Sequence, residues 1–187
     1  MYNASSLLKN MRSQLEQITL QDRNAAEMEI RDKQKQINYD TRDYPLEILV
    51  QKYMEGVNDD TNKLFIPNYQ RELVWDDARQ SKFIESVIWG LPIPSIFVVD
   101  IGHDENDEPR LEIVYGAQRI LTLTRFVNNE LTLSGLKKIE QLNGFKFSDL
   151  LLPRQRNFNR KTVRTIQLTE AANKEVRRDL FERIQSF

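Results

Sequence analysis

The stretch "EIVYGAQRILTL", residues 112–123, decides the fold, because a strand pattern there turns sharply into a helix pattern. The strand "RLEIVY", 110–115, is the predicted partner of the apolar strand "IFVVDI", 96–101, which precedes it across an acidic loop. After the turn, apolar residues recur at helical spacing and form one side of a helix, as Ile120, Leu123 and Phe126. Strands that alternate with helices predict an α/β (α+β) domain.

The turn itself carries residues suited to binding a phosphate. The first N–H groups of a helix are unpaired and its start is positively polarised, which favours an anion. Gly116 lets the backbone approach a ligand closely, and Arg119 can add a two-pronged contact to a phosphate. The preceding residue is Tyr115, where a catalytic site would usually have a carboxylate. A phenol with a pKa of about 10 holds a metal or orients a water poorly, although it can stack on a base or hydrogen-bond a phosphate. Many strand-to-helix turns contain Gly and Arg without binding anything, so both interpretations stay open.

A second segment, "IPNYQRELVW", residues 66–75, places aromatic surfaces next to amide and guanidinium groups. Tyr69 and Trp75 can instead be core anchors, with Arg71 paired to a carboxylate. Gln70 and Arg71 sit just past a predicted strand end, where polar side chains gather into clefts. We therefore expect Arg71 and Arg119 to converge on one anion.

Residues 1–40 form a predicted helical extension, separate from the domain of residues 41–187. Four apolar residues at spacings of three and four make a short amphipathic stripe, namely Leu8, Met11, Leu15 and Ile18. The stripe can dock on the chain's own domain, or it can bind a partner or a second copy.

The rest of the chain divides at its glycines and prolines. Asp43 and Pro45 predict the start of a helix that stops near Gly56, and Asp76 caps another that Gly90 ends. Further predicted elements are a strand at 63–67, short helical pieces over 131–150, a strand at 160–169 and a final helix over 170–187.

The composition excludes several classes of protein. The 187 residues include no cysteine, which excludes disulfides and thiolate metal sites and fits a cytoplasmic protein. The single histidine, His103, lies in the acidic stretch "GHDENDEPR" and is expected to be a solvated turn residue, whereas hydrolytic zinc sites usually need several. We predict no metal ligands, no signal peptide and no membrane span.

The segment 153–165 is strongly basic, although the whole chain carries a net charge of only −1. Its five cations are either a solvated face or a sequence-independent contact to nucleic-acid phosphates; they are Arg154, Arg156, Arg160, Lys161 and Arg164. Phe158, in their midst, can stack on a base or fill the core.

Three stretches together resemble a known family, in the family's order: residues 65–98, residues 112–126 and "RRDLFERI", residues 177–184. They are similar to the N-terminal domain of GmrSD-type restriction proteins, the domain-of-unknown-function family 262, which is related to the ParB/sulfiredoxin fold. The resemblance implies a small mixed sheet flanked by helices, in a defence protein that attacks foreign DNA. It also implies a nucleoside triphosphate, with Mg²⁺, as ligand; some members hydrolyse it or act as nucleases, and DNA cutting is commonly assigned to a further C-terminal domain.

The family pattern is P-x-Y-Q-R-x-x-V-W followed by D-G-x-Q-R-x-x-T-L. The matching positions give the predicted binding residues, which are Tyr69, Gln70, Arg71, Tyr115, Gly116, Ala117, Gln118 and Arg119. Tyr115 replaces the acidic residue of the pattern. The family continues past "LFERI" with an asparagine, where this chain has Gln185 and then ends, so we expect a domain shortened relative to the family.

Three functions are compatible with these observations. The first is a module that binds a nucleotide or DNA phosphates without efficient catalysis and regulates a full-length restriction protein, with residues 1–40 as a docking arm or as a contact between copies. The second is an NTPase or nuclease whose acid comes from elsewhere; Asp100, on the neighbouring strand, is possible, whereas Glu112 should face the other side. The third is an interaction protein that has lost its ligand. We favour the first, with no confident catalytic residue.

Overall fold

The computed structural model describes residues 18–34, 38–67, 75–103, 109–168, 179 and 182–184. The chain divides into two compact units, Met1–Ile37 and Asn38–Phe187. No helix among the described residues is long and apolar enough to cross a membrane.

In the first unit, the described part is essentially one helix, α1, Leu20–Gln34, which is exposed along its length. Its start is fixed by reciprocal hydrogen bonds, because the Asp22 N–H donates to the Thr19 hydroxyl and the Thr19 N–H donates to the Asp22 carboxylate. Of the predicted apolar stripe, only Ile18 is described, and it is exposed; Leu8, Met11 and Leu15 lie outside the described residues.

The second unit is built on a mixed sheet of five strands in the order β1-β5-β3-β4-β2. The strands are β1 Tyr39–Pro45, β2 Leu64–Phe65, β3 Ile96–His103, β4 Pro109–Tyr115 and β5 Thr162–Leu168. β3 and β4 pair antiparallel, as predicted, while β3 pairs with β5 and β2 pairs with β4 in parallel. The predicted α/β class is therefore confirmed.

Helices pack on this sheet and on one another. They are α2 Leu46–Met54, α3 Asp77–Trp89, α4 Ala117–Val127 and α5 Leu152–Asn159, with two short 3₁₀ turns at Glu140–Leu142 and Phe147–Asp149. α4 lies between two apolar clusters, because its Ile120 packs with the sheet residues Ile96 and Ile113 while its Phe126 packs with α3 and α5. Val99 and Val114 are buried on the opposite side of the sheet, so β3 is covered on both faces, as its continuous apolar run predicts.

Two predicted positions are wrong. Asp43 does not cap a helix: "TRDYP" belongs to the edge strand β1, helix α2 begins only at Leu46, and the Asp43 carboxylate accepts a hydrogen bond from Arg164. The mostly polar β1 lacks the alternation that marks a half-buried strand, and pairing with β5 fixes its conformation instead. His103 is not a turn residue but the last residue of β3, and its side chain lies outside the description.

The irregular chain from 131 to 150 is held on α3 by buried polar groups. The Glu85 carboxylate, on α3, accepts hydrogen bonds from the N–H groups of Lys138 and Ile139, both at 2.8 Å. The buried Ser81 hydroxyl accepts another from the Ser134 N–H. These contacts give a segment whose only regular structure is two 3₁₀ turns a fixed path over the helices.

Candidate functional site

The turn between β4 and α4 depends on Gly116. Its backbone is left-handed, with φ at 103° and ψ at 9°, a conformation that favours glycine. A Cβ there would lie 3.1 Å from Cγ1 of Ile96, a fully buried residue of β3. The glycine therefore lets the end of β4 pass close to β3 and start the helix at once, as the sequence predicts.

Gln118 joins the two sequence segments of the candidate site. Its Oε1 accepts a hydrogen bond of 2.9 Å from the N–H of Trp75, the last residue of "IPNYQRELVW". The Trp75 carbonyl in turn accepts one of 2.6 Å from Gln80 on α3, and its half-buried ring packs edge-on against Phe83. Trp75 is thus an anchor between α3 and the turn.

Three predicted binding residues of the first segment, Tyr69, Gln70 and Arg71, lie outside the described residues. The convergence of Arg71 and Arg119 on one anion therefore stays a prediction. What the structure does bring together is the end of that segment and the turn, through the hydrogen bond between Trp75 and Gln118.

The other end of the Gln118 amide is an unused donor. Its Nε2 is buried and has no hydrogen-bond partner among the described residues. A buried amide N–H without an acceptor costs about 1–3 kcal/mol. Because Trp75 holds the Oε1 atom, the amide cannot flip without losing that bond, so its NH₂ group is oriented to donate to an oxygen acceptor such as a phosphate oxygen.

Arg119, one residue further on, binds the extended link "LPIPS". Its Nη1 donates to the carbonyls of Ser95, at 3.0 Å, and Pro94, at 3.3 Å, and its Nη2 contacts the Tyr115 hydroxyl at 3.4 Å. Three of the five guanidinium N–H donors are engaged in this way. No carboxylate among the described residues forms an ion pair with Arg119, so it is a positioned cation with two N–H donors that the described residues do not engage.

Tyr115 lies at the position where the resemblance predicts an acidic residue. The guanidinium of Arg119 stacks on its ring, 4.9 Å from the centroid, and Phe97 packs against it edge-on at 6.2 Å. The phenol thus holds the Arg119 guanidinium in place by stacking and by the contact of its hydroxyl.

Asp100, the other possible acid, lies elsewhere on the sheet. It pairs with Leu111 in the ladder, whereas Tyr115 pairs with Phe97. Four residues of β4 separate the two positions, which is about 13 Å along a strand. The register therefore gives no support to Asp100 as the acid of the Gly116 turn.

Asp100 belongs instead to a polar group that the sequence did not reveal. One of its oxygens accepts a hydrogen bond from the Gln167 amide at 3.2 Å and the other from the Gly102 N–H at 3.0 Å. Gln167 and Thr165 are buried on β5, and Gln167 Oε1 and Thr165 Oγ1 have no partner among the described residues. In the sequence, this group is indicated only by two polar residues, Thr165 and Gln167, at alternate positions of a predicted strand.

The basic segment does not form one surface. The sequence predicts a strand from residue 160 onward, whereas the first half of the segment is helix α5, since Pro153 is tolerated in a first helical turn. Arg164 forms an ion pair with Asp43 at 3.2 Å, while Arg154 lies in a separate groove beside Asp149. Three cations remain together, namely Arg156, Arg160 and Lys161.

Phe158 belongs to the core. It is 1% exposed, and its ring lies 5.5 Å from that of Phe126 and 5.7 Å from that of Phe147, both edge-on. The core interpretation of Phe158 is confirmed, and stacking on a base is excluded by its burial.

Residues 47–186 match the family described as "GmrSD restriction endonuclease, N-terminal domain". The chain has no significant match among curated proteins or solved structures. The match covers β2 to β5 and contains both segments that Gln118 joins, which agrees with the resemblance found in the motifs. The chain is therefore a member of the GmrSD restriction endonuclease N-terminal domain family.

Proposed function

We propose that this module of a restriction and defence system binds a nucleoside triphosphate at the turn between β4 and α4, without efficient catalysis. The observation that carries the proposal is the Gln118 amide. Its oxygen is bound to the Trp75 N–H, and its buried Nε2 is left as an oriented donor beside a glycine turn.

The helix start supplies further donors for a phosphate. Ala117 and Gln118 are the first two residues of α4, so their N–H groups have no acceptor within the helix. The N–H groups of Arg119 and Ile120 are already bound to the Gly116 carbonyl. Two backbone donors, one amide and the free donors of Arg119 therefore belong to one short stretch of chain, at the positive end of a helix.

We expect weak catalysis because no carboxylate among the described residues is placed to act at the turn. Tyr115 cannot bind Mg²⁺ or activate a water as an aspartate can, and Asp100 lies some four residues away along the ladder and is engaged by Gln167. The proposal thus gives the turn a binding role, in which occupancy by nucleotide would regulate a full-length restriction protein or DNA binding.

Thermal unfolding with ATP, GTP or CTP, each with and without Mg²⁺, tests the proposal. A ligand that binds only the folded protein at 100 times its Kd adds about 2.7 kcal/mol to the free energy of unfolding, so at least one nucleotide should raise the Tm. Phosphate release should stay at background.

Gln118→Met removes the amide but keeps the length of the side chain, and it should abolish the nucleotide shift. Gln155→Met is the matched control, because among the described residues the Gln155 amide donates to the backbone carbonyls of Ser148 and Leu150 and to no other group. A Gln118→Met variant that responds to nucleotide like the parent would contradict the binding site, and steady phosphate release would contradict the lack of catalysis.

A further inference from the structure

Three cations surround a depression near helix α5. It has a volume of about 460 Å³ and is lined by Pro153, Arg156, Asn157, Arg160 and Lys161. None of these lining residues is acidic or aromatic. The depression thus combines three positive charges with one side-chain amide, a chemistry that suits anionic oxygens.

The three charges are not neutralised within the described protein. None of the three, Arg156, Arg160 and Lys161, has an ion-pair partner among the described residues. Arg156 and Arg160 are four positions apart and therefore lie on the same side of the chain, where their like charges repel each other. An anion in the depression would relieve that repulsion.

The neighbouring cations differ from these three and define the edge of the surface. Arg164 is paired with Asp43, and Arg154 lies 200° around the helix from Arg156 at 100° per residue. Arg154 also shares its groove with Asp149. The segment therefore contains one cluster of three cations without an ion-pair partner among the described residues. The two cations outside the cluster, Arg154 and Arg164, serve as controls.

We propose that Arg156, Arg160 and Lys161 bind the phosphate backbone of double-stranded DNA without reading its sequence. The choice of DNA rests on the proposed function in a restriction system. The choice of duplex rests on the depression itself, because proteins that bind single strands usually stack bases on aromatic rings, and the nearby Phe158 is buried. Asn157 adds a neutral donor for a phosphate oxygen.

The salt dependence of binding measures the number of phosphates contacted. Three contacts give a slope of about −2.7 in a plot of log affinity against log salt concentration, which is about a 40-fold loss of affinity between 50 and 200 mM salt. Each single substitution should reduce that slope by about 0.9. The loss should be equal for duplexes of different sequence.

The test is fluorescence anisotropy with a labelled 20-base-pair duplex, using the full chain at several salt concentrations. The variants are Arg156→Gln, Arg160→Gln, Lys161→Gln and the triple substitution. The controls are Arg154→Gln and Arg164→Gln, which remove the same charge from the same segment outside the depression. We expect weaker binding and a smaller slope for the first set, and affinities within about twofold of the parent for the controls.

Equal losses in variants and controls would overturn the proposal, as would no duplex binding at 50 mM salt or tighter binding to a single strand or to anionic lipid vesicles. The nucleotide-induced Tm shift separates this result from the proposed function. The triple variant should keep that shift, whereas Gln118→Met should lose it and still bind duplex. Circular dichroism of each variant checks that α5 is intact.

Discussion

Gly116 and Gly90 have almost the same backbone conformation and different surroundings, so alanine at each position separates strain from crowding. φ and ψ are 103° and 9° at Gly116, and 102° and 14° at Gly90, which ends α3. A Cβ at Gly90 would meet nothing within 4 Å, whereas at Gly116 it would lie 3.1 and 3.4 Å from two carbons of the Ile96 side chain.

The left-handed backbone costs a residue with a Cβ about 1–2 kcal/mol at either position. Alanine also restricts the unfolded chain, which returns about 0.4–1 kcal/mol. We therefore expect Gly90→Ala to lower the free energy of unfolding by about 1 kcal/mol. At Gly116 the buried Ile96 must also move, and overpacking of this kind costs about 1–3 kcal/mol more.

Urea unfolding of the two variants measures the difference directly. Gly116→Ala should be less stable than Gly90→Ala by about 2 kcal/mol, equivalent to a Tm lower by about 4–8 °C for a chain of this size. In an Ile96→Ala background the excess should vanish, because both crowding carbons are gone. Equal losses for the two glycines in the parent would refute the close approach of β4 and β3 as the reason for Gly116.

Four further predictions concern other contacts. Asp76→Ala, which removes the side-chain cap of α3, should lower the free energy of unfolding by about 1 kcal/mol in urea, whereas Asp76→Ser should recover most of it. Glu85→Ala should cost at least about 2 kcal/mol, because it leaves two backbone N–H groups without their acceptor, while Glu85→Gln retains an acceptor oxygen and should cost less. Hydrogen bonds from the Arg42 side chain and a backbone N–H lower the pKa of Asp40. The ionised carboxylate therefore stabilises the folded protein at neutral pH, and this stabilisation is lost as the pH falls through the lowered pKa. Arg42→Gln should raise the pKa of Asp40 in an NMR titration. Tyr115→Asp should make the nucleotide-induced Tm shift depend on Mg²⁺, and an unchanged metal response would contradict the role given to the phenol.

The sequence predicts best where one residue type has one physical reason to be present. The sequence predicts Gly116 in a sharp turn, where its φ is positive, and Asp76 at a helix cap, where its carboxylate accepts the expected N–H bond. The continuous apolar run 96–101 and the strand pattern of 110–115 likewise predict the β3–β4 pair. Each of these features depends on residues close together in the chain.

Prediction failed where a distant partner decides the outcome. Asp43 has the chemistry of a helix cap, but pairing of β1 with β5 brings it to Arg164, 121 positions later. The five cations of 153–165 look alike in sequence, and only the direction of α5 and the positions of Asp43 and Asp149 divide them into free and accompanied charges.

Gln118 is more informative than Arg119 about this site. Arginine at a helix start can serve packing, and here it binds two carbonyls and stacks on Tyr115. A glutamine is long, loses side-chain entropy when it is ordered and gains little from apolar neighbours, so the buried atoms of its amide need hydrogen-bond partners. Gln118 has one end bound to Trp75 and the other without an acceptor among the described residues. An oxygen supplied from outside this described framework would complete it, and the nucleotide experiment asks whether that oxygen comes from a phosphate.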